Sequence, residues 1–324
     1  MTNFDVFNGD ADGICALVQL RLANPSKTEL ITGVKRDIKL LSRVDVENAS
    51  KVTVLDISMQ KNREALLNLL SNDVDVFYAD HHNPGDQISH PRLEALIDMH
   101  PNKCTALIVN EHLNHAYELW AITAAFGDNL SSVAEEYAKE LHLTETQTIK
   151  LKTLGQHINY NGYGASLDDL FFAPDELYRQ CVYYSSPLDF INENTEIMET
   201  LDSGYNSDLS QAQQQKMSYE SDMVGVITLP DDKWARRISG TYSNYLSNQF
   251  PSRAHLILTE IPDSAAYVVS IRAPKIRQEG ADFIAGQFDT GGGRKAAAGI
   301  NLLQETELAR LISTVQDYYS SNIN

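Results

Sequence analysis

Three short segments of the chain contain the residue types that hold metal ions and activate water. Residues 8–13 read NGDADG, Asp56 follows the largely apolar segment Val52–Leu55, and Asp80-His81-His82 follows the predicted strand Val74–Ala79. Carboxylates bind hard divalent cations, and an imidazole adds a ligand that suits transition metals. An aspartate beside two histidines can also orient a ligand and assist proton transfer.

Each segment taken alone also has a purely structural explanation. An aspartate that precedes a helix caps the free amides of its first turn, and glycine-rich loops between strands and helices are common. Three such segments at the ends of successive predicted strands nevertheless favour one shared metal site over three independent helix caps.

The hydrophobic pattern explains how these segments would meet. Apolar strands alternate with amphipathic helices, which predicts a parallel α/β sheet with its ligands at the carboxyl ends of the strands. The predicted strands are Phe4–Phe7, Leu30–Thr32, Val52–Asp56 and Val74–Ala79, and the predicted helices between them are Ile14–Leu22 and Asn62–Leu70.

The length of 324 residues favours two domains. We predict an α/β fold in which an N-terminal parallel-sheet domain with a helical flank occupies residues 1–190. A long polar helix, roughly Glu193–Asp222, would form a linker over residues 191–222. A smaller α/β domain would follow over residues 223–324, with helices near 234–250 and 305–319, strands at 255–260 and 266–271, and a loop at Gly291–Gly293.

The bulk charge and the cysteines limit the classes of function. The net charge of −18 repels long nucleic acids. Cys15, Cys104 and Cys181 are too few and too far apart for a disulfide framework. No apolar run reaches the roughly 18 residues of a membrane span and no signal segment precedes the first strand, so we expect a cytoplasmic protein. Positive charge concentrates instead near the C-terminus, at Arg272, Lys275, Arg277, Arg294 and Lys295.

The order of these segments resembles the DHH phosphoesterase superfamily, which includes RecJ-like exonucleases, nanoRNases, cyclic-dinucleotide phosphodiesterases and an exopolyphosphatase branch. The resemblance covers nearly the whole chain. Its four N-terminal motifs are matched in turn by Asp10 with Asp12, by Asp56, by Asp80-His81-His82 and by Asp128. The stretch from Gly291 to Gly299 is similar to the glycine-rich signature of the associated C-terminal domain, which caps the active site and grips the substrate.

The resemblance implies a two-metal site that uses Mn²⁺, with Mg²⁺ or Co²⁺ as substitutes. One ion would be held by Asp10 and Asp56, with the neutral Asn8 as a weaker ligand where the family usually has His or Asp. The other would be held by Asp12, Asp56, His81 and Asp128. Asp80 and His82 would be catalytic, with His82 contacting the phosphate or assisting proton transfer. The substrate-binding residues would be Arg272, Gly291, Gly292, Gly293, Arg294 and Lys295, where Arg294 replaces the His of many relatives.

Together these features favour the hydrolysis of short phosphodiesters, such as nanoRNA or the linear dinucleotide pGpG, to mononucleotides. A RecJ-like single-strand exonuclease is an alternative, although it needs an extended basic groove and aromatic platforms. A phosphomonoesterase or polyphosphatase of the same superfamily is another. A catalytically inactive nucleotide-binding module is the alternative from a different class. We expect a short nucleotide as the partner, no long nucleic acid, no membrane, and a monomer or homodimer.

Overall fold

The computed structural model describes residues 1–320, and the chain forms two compact units. The first unit is Met1–Gly204 and the second begins at Tyr205. The predicted domain limits at residues 190 and 222 stay predictions, and residues 321–324 of the predicted C-terminal domain lie outside the described residues. Within the described range, no helix combines the length and the apolar content that a membrane crossing requires.

The first unit contains a five-stranded sheet in which all strands are parallel, in the order β2-β1-β3-β4-β5. This confirms the predicted α/β class. β5 is an addition to the prediction, since its short and partly exposed sequence has no buried apolar run. The strands are β1 (Thr2–Phe7), β2 (Glu29–Ile31), β3 (Ala49–Leu55), β4 (Asp75–Asp80) and β5 (Leu93–Ile97).

Helices cover both faces of this sheet, because alternate side chains of each strand point to opposite faces. Phe7 and Leu55 belong to one buried cluster, whereas Val6 and Val54 belong to another. The helices of the unit are α1 (Ala11–Ala23), α2 (Arg63–Ser71), α3 (Thr105–His112), α4 (Glu118–Gly127), α5 (Ser131–Glu140), α6 (Glu145–Asn161), α7 (Pro174–Cys181), α8 (Pro187–Glu193) and α9 (Thr195–Gln213), which runs on into the second unit.

The long polar helix is shorter than the predicted 193–222. It ends at Gln213 because Met217–Glu220 instead forms a strand that pairs antiparallel with Val224–Leu229. The exposed polar residues of this segment carry little hydrophobic information, so the pattern did not separate the helix from the strand that follows it.

The second unit is built on a six-stranded mixed sheet in the order β10-β11-β9-β8-β7-β6. The helices at residues 281–285 and 308–320 pack on this sheet and share a buried hydrophobic cluster with its strands. The elements are β6 (Met217–Glu220), β7 (Val224–Leu229), α10 (Lys233–Gln249), β8 (Ala254–Glu260), β9 (Ala266–Arg272), α11 (Ala281–Ala285), β10 (Gly291–Arg294), β11 (Ala297–Gln304) and α12 (Leu308–Ser320).

The predicted loop at Gly291–Gly293 is wrong, because these glycines form the edge strand β10. Close packing explains why two of these three positions require glycine. A Cβ on Gly291 would lie 1.9 Å from the Ala285 carbonyl oxygen, and one on Gly293 would lie 2.4 Å from Ala298 Cα. A Cβ on Gly292 would meet no described atom within 4 Å.

Candidate metal centre

The carboxyl ends of β1, β3 and β4 bring the three acidic and histidine segments together. His81 Nε2 lies 3.5 Å from Asp56 Oδ1 and 3.9 Å from Asp12 Oδ2. The carboxylate of Asp128 joins them from the end of α4, since potential ligand atoms of Asp12, His81 and Asp128 lie within 4.8 Å of one another. Asp56, His81 and His82 form a second such group. The roles of these residues stay predictions, but their proximity is a property of the fold.

Asp12 is fixed by the start of α3. Its Oδ2 accepts a hydrogen bond from the Thr105 amide and its Oδ1 accepts one from the Ala106 amide, both at 2.7 Å. The helix has no side-chain cap of its own from Cys104. Asp12 therefore satisfies two free amides at the N-terminus of a helix that is distant in sequence. Its carboxylate is held rigidly toward His81.

Asp56 has a backbone conformation that few non-glycine residues adopt, with φ of 56° directly after β3. Such conformations cost about 1 to 3 kcal/mol and concentrate at functional sites. Thr105 Oγ1 donates a hydrogen bond to Asp56 Oδ1 at 3.3 Å. Burial raises the pKa of Asp56 well above its ordinary value, and the negative charges of four neighbouring aspartates raise it further. A nearby cation would relieve this repulsion.

His81 is in the tautomer that a metal ligand needs. Its Nδ1 lies 3.1 Å from the Lys103 carbonyl oxygen. Because a carbonyl oxygen only accepts, Nδ1 carries a proton, and in the neutral ring Nε2 is the nitrogen with the lone pair. That lone pair lies on the side of Asp56 and Asp12, and this backbone contact fixes the ring as is usual around metal ions.

His82 is oriented by Asp80. Its Nδ1 donates to Asp80 Oδ1 at 2.7 Å, and the His81 amide donates to the same oxygen at 2.9 Å. This hydrogen bond raises the pKa of His82, against the opposing effect of burial. The His82 side chain is 40% exposed, whereas Asp80 is fully buried. His82 is therefore an oriented imidazole that solvent can reach.

Asp128 lies at the C-terminal end of α4, with its Oδ1 4.0 Å from Lys35 Nζ. It follows the C-terminal residue of α4, where the helix dipole disfavours a negative charge. Burial raises the pKa of Asp128 to about 6, and Asp12 and Asp10 add to this effect. Unlike Asp10 and Asp12, it caps no helix N-terminus.

The chemistry of this set fits a divalent transition-metal ion. Its donors are the oxygens of Asp12, Asp56 and Asp128 with the imidazole of His81, a mixture that favours Mn²⁺ over a purely oxygen-seeking ion such as Ca²⁺. Ligands at about 2.1 Å from an ion in octahedral geometry lie roughly 3 to 4 Å apart, as the His81 and aspartate atoms do.

Asp10 and Asn8 have a different environment, which contains a lysine. Asp10 Oδ1 accepts the Asp12 and Gly13 amides at the N-terminus of α1, and Asp10 Oδ2 lies 2.6 Å from Lys35 Nζ. Burial alone would raise the pKa of Asp10, but the charge and hydrogen bond of Lys35 outweigh it and lower that pKa. Asn8 Nδ2 donates to the Lys35 carbonyl oxygen at 3.4 Å.

The predicted substrate-binding residues share one edge region of the second unit's sheet. The register pairs Arg294 with Ala297 and Ala297 with Arg272, so the two arginines lie in one row on one face, roughly 10 Å apart between Cα atoms. The Arg272 guanidinium is held by Asn244 Oδ1 at 2.7 Å. Arg294 and Lys295 are exposed at the β10–β11 turn.

Sequence reasoning missed the segment that positions the histidine and two aspartates. Residues 103–106 supply the carbonyl that fixes His81, the two amides that hold Asp12, and the hydroxyl that reaches Asp56. Three of these four contacts are made by backbone atoms, which leave no signal in residue type. A helix start ahead of the apolar run 106–109 was the only available clue.

Comparisons with known proteins identify the fold. No protein-family model matches the sequence, and no curated protein matches it. Among solved structures, a DHH domain described as a member of a family of ribosomal proteins has a TM-score of 0.61 at 14% identity, with 98% of this chain and 86% of that chain covered. The chain has the DHH fold.

Two further structures share this DHH fold. An exonuclease RecJ bound to manganese has a TM-score of 0.63 at 15% identity, and the alignment covers 98% of this chain and 90% of the RecJ chain. A pGpG-specific phosphodiesterase, PggH from Vibrio cholerae, has a TM-score of 0.58 at 11% identity, and the alignment covers 99% of this chain and 100% of the PggH chain. The resemblance inferred from the motifs is therefore confirmed as a fold.

Proposed function

We propose that this protein is a cytoplasmic, manganese-dependent phosphodiesterase that hydrolyses short oligonucleotides or linear dinucleotides such as pGpG to mononucleotides. The cluster of Asp12, Asp56, His81 and Asp128 carries the proposal, because potential ligand atoms of Asp12, His81 and Asp128 lie within 4.8 Å of one another and Asp56 Oδ1 lies 3.5 Å from His81 Nε2. The DHH-fold structures include a RecJ exonuclease bound to manganese and a pGpG-specific phosphodiesterase, which supports this class of reaction.

The residues in and around the cluster have different roles in the proposed reaction. A divalent ion held there supplies Lewis acidity, which neutralises charge on the phosphate and lowers the pKa of water. Thr105 and the backbone of residues 103–106 keep Asp12, Asp56 and His81 in place, so no reorganisation is needed during the reaction. His82, oriented by Asp80, would contact an oxygen of the phosphate or assist proton transfer to it.

The positive charges of the second unit are consistent with a short phosphate-containing substrate. Arg272 and Arg294 lie on one face of the sheet, and Lys295 adds another exposed cation beside them. Guanidinium groups bind phosphates in a forked geometry. The net charge of −18 disfavours long nucleic acid, so we propose a ligand of two or a few nucleotides.

The direct test is hydrolysis of a substrate panel with and without Mn²⁺. The panel contains pGpG, mixed dinucleotides, 5- to 20-mers, cyclic dinucleotides and 3′-phosphoadenosine phosphate. We expect Mn²⁺-dependent hydrolysis that is fastest on dinucleotides. His81→Asn should abolish it, whereas the matched variant His142→Asn, at an exposed histidine, should not. A rate that rises with chain length would favour the exonuclease, and full activity of His81→Asn would refute the site.

The substrate-binding surface has its own test. Lys295 and Lys233 are both exposed lysines of the second unit. Lys295→Ala and Arg294→Ala should raise KM for pGpG with little change in kcat, whereas Lys233→Ala should leave both constants unchanged. An unchanged KM in both test variants would remove the β10–β11 turn from the proposed binding surface.

A further inference from the structure

Lys35 places a positive charge among the aspartates of the candidate centre. Its Nζ lies 2.6 Å from Asp10 Oδ2 and 4.0 Å from Asp128 Oδ1. It also donates to Asn159 Oδ1 at 2.8 Å and lies 5.7 Å from the centroid of the Tyr163 ring. Two close acceptors and an aromatic ring therefore surround the ammonium group.

The fold holds Lys35 in this position from both of its sides. The Lys35 amide donates to the Gly162 carbonyl oxygen at 2.8 Å, and Asn8 Nδ2 donates to the Lys35 carbonyl oxygen at 3.4 Å. Asn159, which accepts from the ammonium, also donates from Nδ2 to the Tyr163 hydroxyl at 3.3 Å. The loop after β2, the start of α1 and the end of α6 thus form a receptor for one ammonium group.

This arrangement leaves few ligands for a second divalent ion. Asp10 uses Oδ1 for two backbone amides and Oδ2 for Lys35. Within residues 1–320, the two groups of three His, Cys, Asp or Glu residues that could hold a metal both include His81, and neither includes Asp10. Asn8 Oδ1 is buried without a hydrogen-bond partner in the described chain, but an amide oxygen is neutral and does not replace a carboxylate. A second ion would have to displace the ammonium from Asp10.

We propose that the Lys35 ammonium takes the place of the second divalent ion, so that each chain binds a single ion at Asp12, Asp56, His81 and Asp128. Lys35 then supplies a fixed positive charge on the Asp10 side of the centre, with no metal to be recruited there. The inference rests on the proposed metal-dependent function. It differs from the two-ion arrangement that the family resemblance implies.

The number of bound ions tests the inference without reference to turnover. Metal-free protein is saturated with Mn²⁺, and the ions per chain are counted by native mass spectrometry, while electron paramagnetic resonance separates isolated from coupled ions. The wild-type protein should bind one ion with the spectrum of isolated Mn²⁺. Lys35→Ala, and more strongly Lys35→Ala combined with Asn8→Asp, should bind two ions with a coupled spectrum. Arg36→Ala removes an exposed cation from the same loop and should still bind one.

Each contrary result overturns a defined part of the proposal. Two tightly bound ions in the wild-type protein would refute it directly, and this measurement does not depend on how well the variants fold. One ion in both the wild-type and the Lys35 variants would show that something other than the ammonium excludes the second ion. One ion without hydrolysis of any phosphodiester would leave the inference standing and remove the proposed function, whereas no ion would overturn both.

Discussion

The charge of Asp128 should destabilise the metal-free protein, and its removal is the sharpest single perturbation of the centre. The side chain is mostly buried, at 22% exposure, and lies at the C-terminus of α4 among other aspartates. Asp128→Asn keeps the shape of the side chain and removes its charge. We therefore expect a metal-free protein that is more stable and a metal-loaded protein that is less stable than the wild type.

The magnitude follows from the pKa of Asp128, which rises from an ordinary value of 3.8 to about 6. Because the folded-state pKa is the higher one, the folded state holds its proton more tightly. The contribution of Asp128 to the free energy of unfolding is therefore greatest below pH 4, and it is lost as the pH rises through about 6. The difference between these two pKa values corresponds to about 3 kcal/mol at pH 8. Asp128→Asn should recover up to this amount at pH 8 and nothing near pH 4.

The assay is urea unfolding of both proteins in EDTA at pH 4 and pH 8, repeated at pH 8 with saturating Mn²⁺. A metal ion at 100 times its Kd stabilises the folded state by about 2.7 kcal/mol. Loss of one coordinating side chain should therefore reduce this gain measurably. Asp168→Asn, at an exposed aspartate, is the matched control and should change none of the three curves.

One result would refute this reasoning. If Asp128→Asn destabilised the metal-free protein equally at pH 4 and pH 8, the carboxylate would serve the packing of α4 and not a cation. An unchanged gain from Mn²⁺ would separately remove Asp128 from the ligand set.

Three further predictions concern residues with contrasting roles. Asp12→Ala should destabilise the protein even in EDTA, by about 2 kcal/mol or more in urea unfolding, because two buried amides of α3 lose their acceptor. Asp80→Asn should lower the pKa of His82, so the loss of kcat/KM as the pH rises through that pKa should move to lower pH in a pH–rate profile. Asp5→Asn should cost about 3 to 5 kcal/mol in thermal or urea unfolding, because Arg21 loses its buried partner, while Mn²⁺ binding by calorimetry stays unchanged.

These three predictions fail in different ways. Normal stability of Asp12→Ala in EDTA would mean that the start of α3 finds other acceptors. An unshifted pH–rate profile in Asp80→Asn would remove His82 from proton transfer. Altered Mn²⁺ affinity in Asp5→Asn would show that the sheet core and the metal centre are coupled.

The parallel sheet could be predicted from the sequence because its central strands are buried on both faces and are mostly apolar. Val52–Leu55 and Val74–Ala79 are of this kind, and the residues that follow them are the ones the fold brings together. The strand β5 could not be predicted in this way, since it is partly exposed. The strand formed by Gly291–Gly293 was mistaken for a loop because glycine favours turns, whereas close contacts with Ala285 and Ala298 decide its conformation.

The candidate ligands could also be proposed from the sequence, but their supports could not. Thr105 and Lys103 act mostly through backbone atoms, which any residue type would supply. The sequence pattern does not distinguish Lys35 from a lysine of a solvated loop. Its contacts with Asp10 and Asn159 join residues that are 25 and 124 positions away, and only the folded chain shows that its charge enters the centre.

The most direct measurement is a crystal structure of the protein soaked with Mn²⁺, with the ions located by anomalous scattering at the manganese edge. We predict one strong peak per chain, coordinated by Asp12, Asp56, His81 and Asp128, with the Lys35 ammonium still on Asp10. Absence of a peak at these four residues, under conditions in which Mn²⁺ supports hydrolysis, would contradict the assignment of the centre.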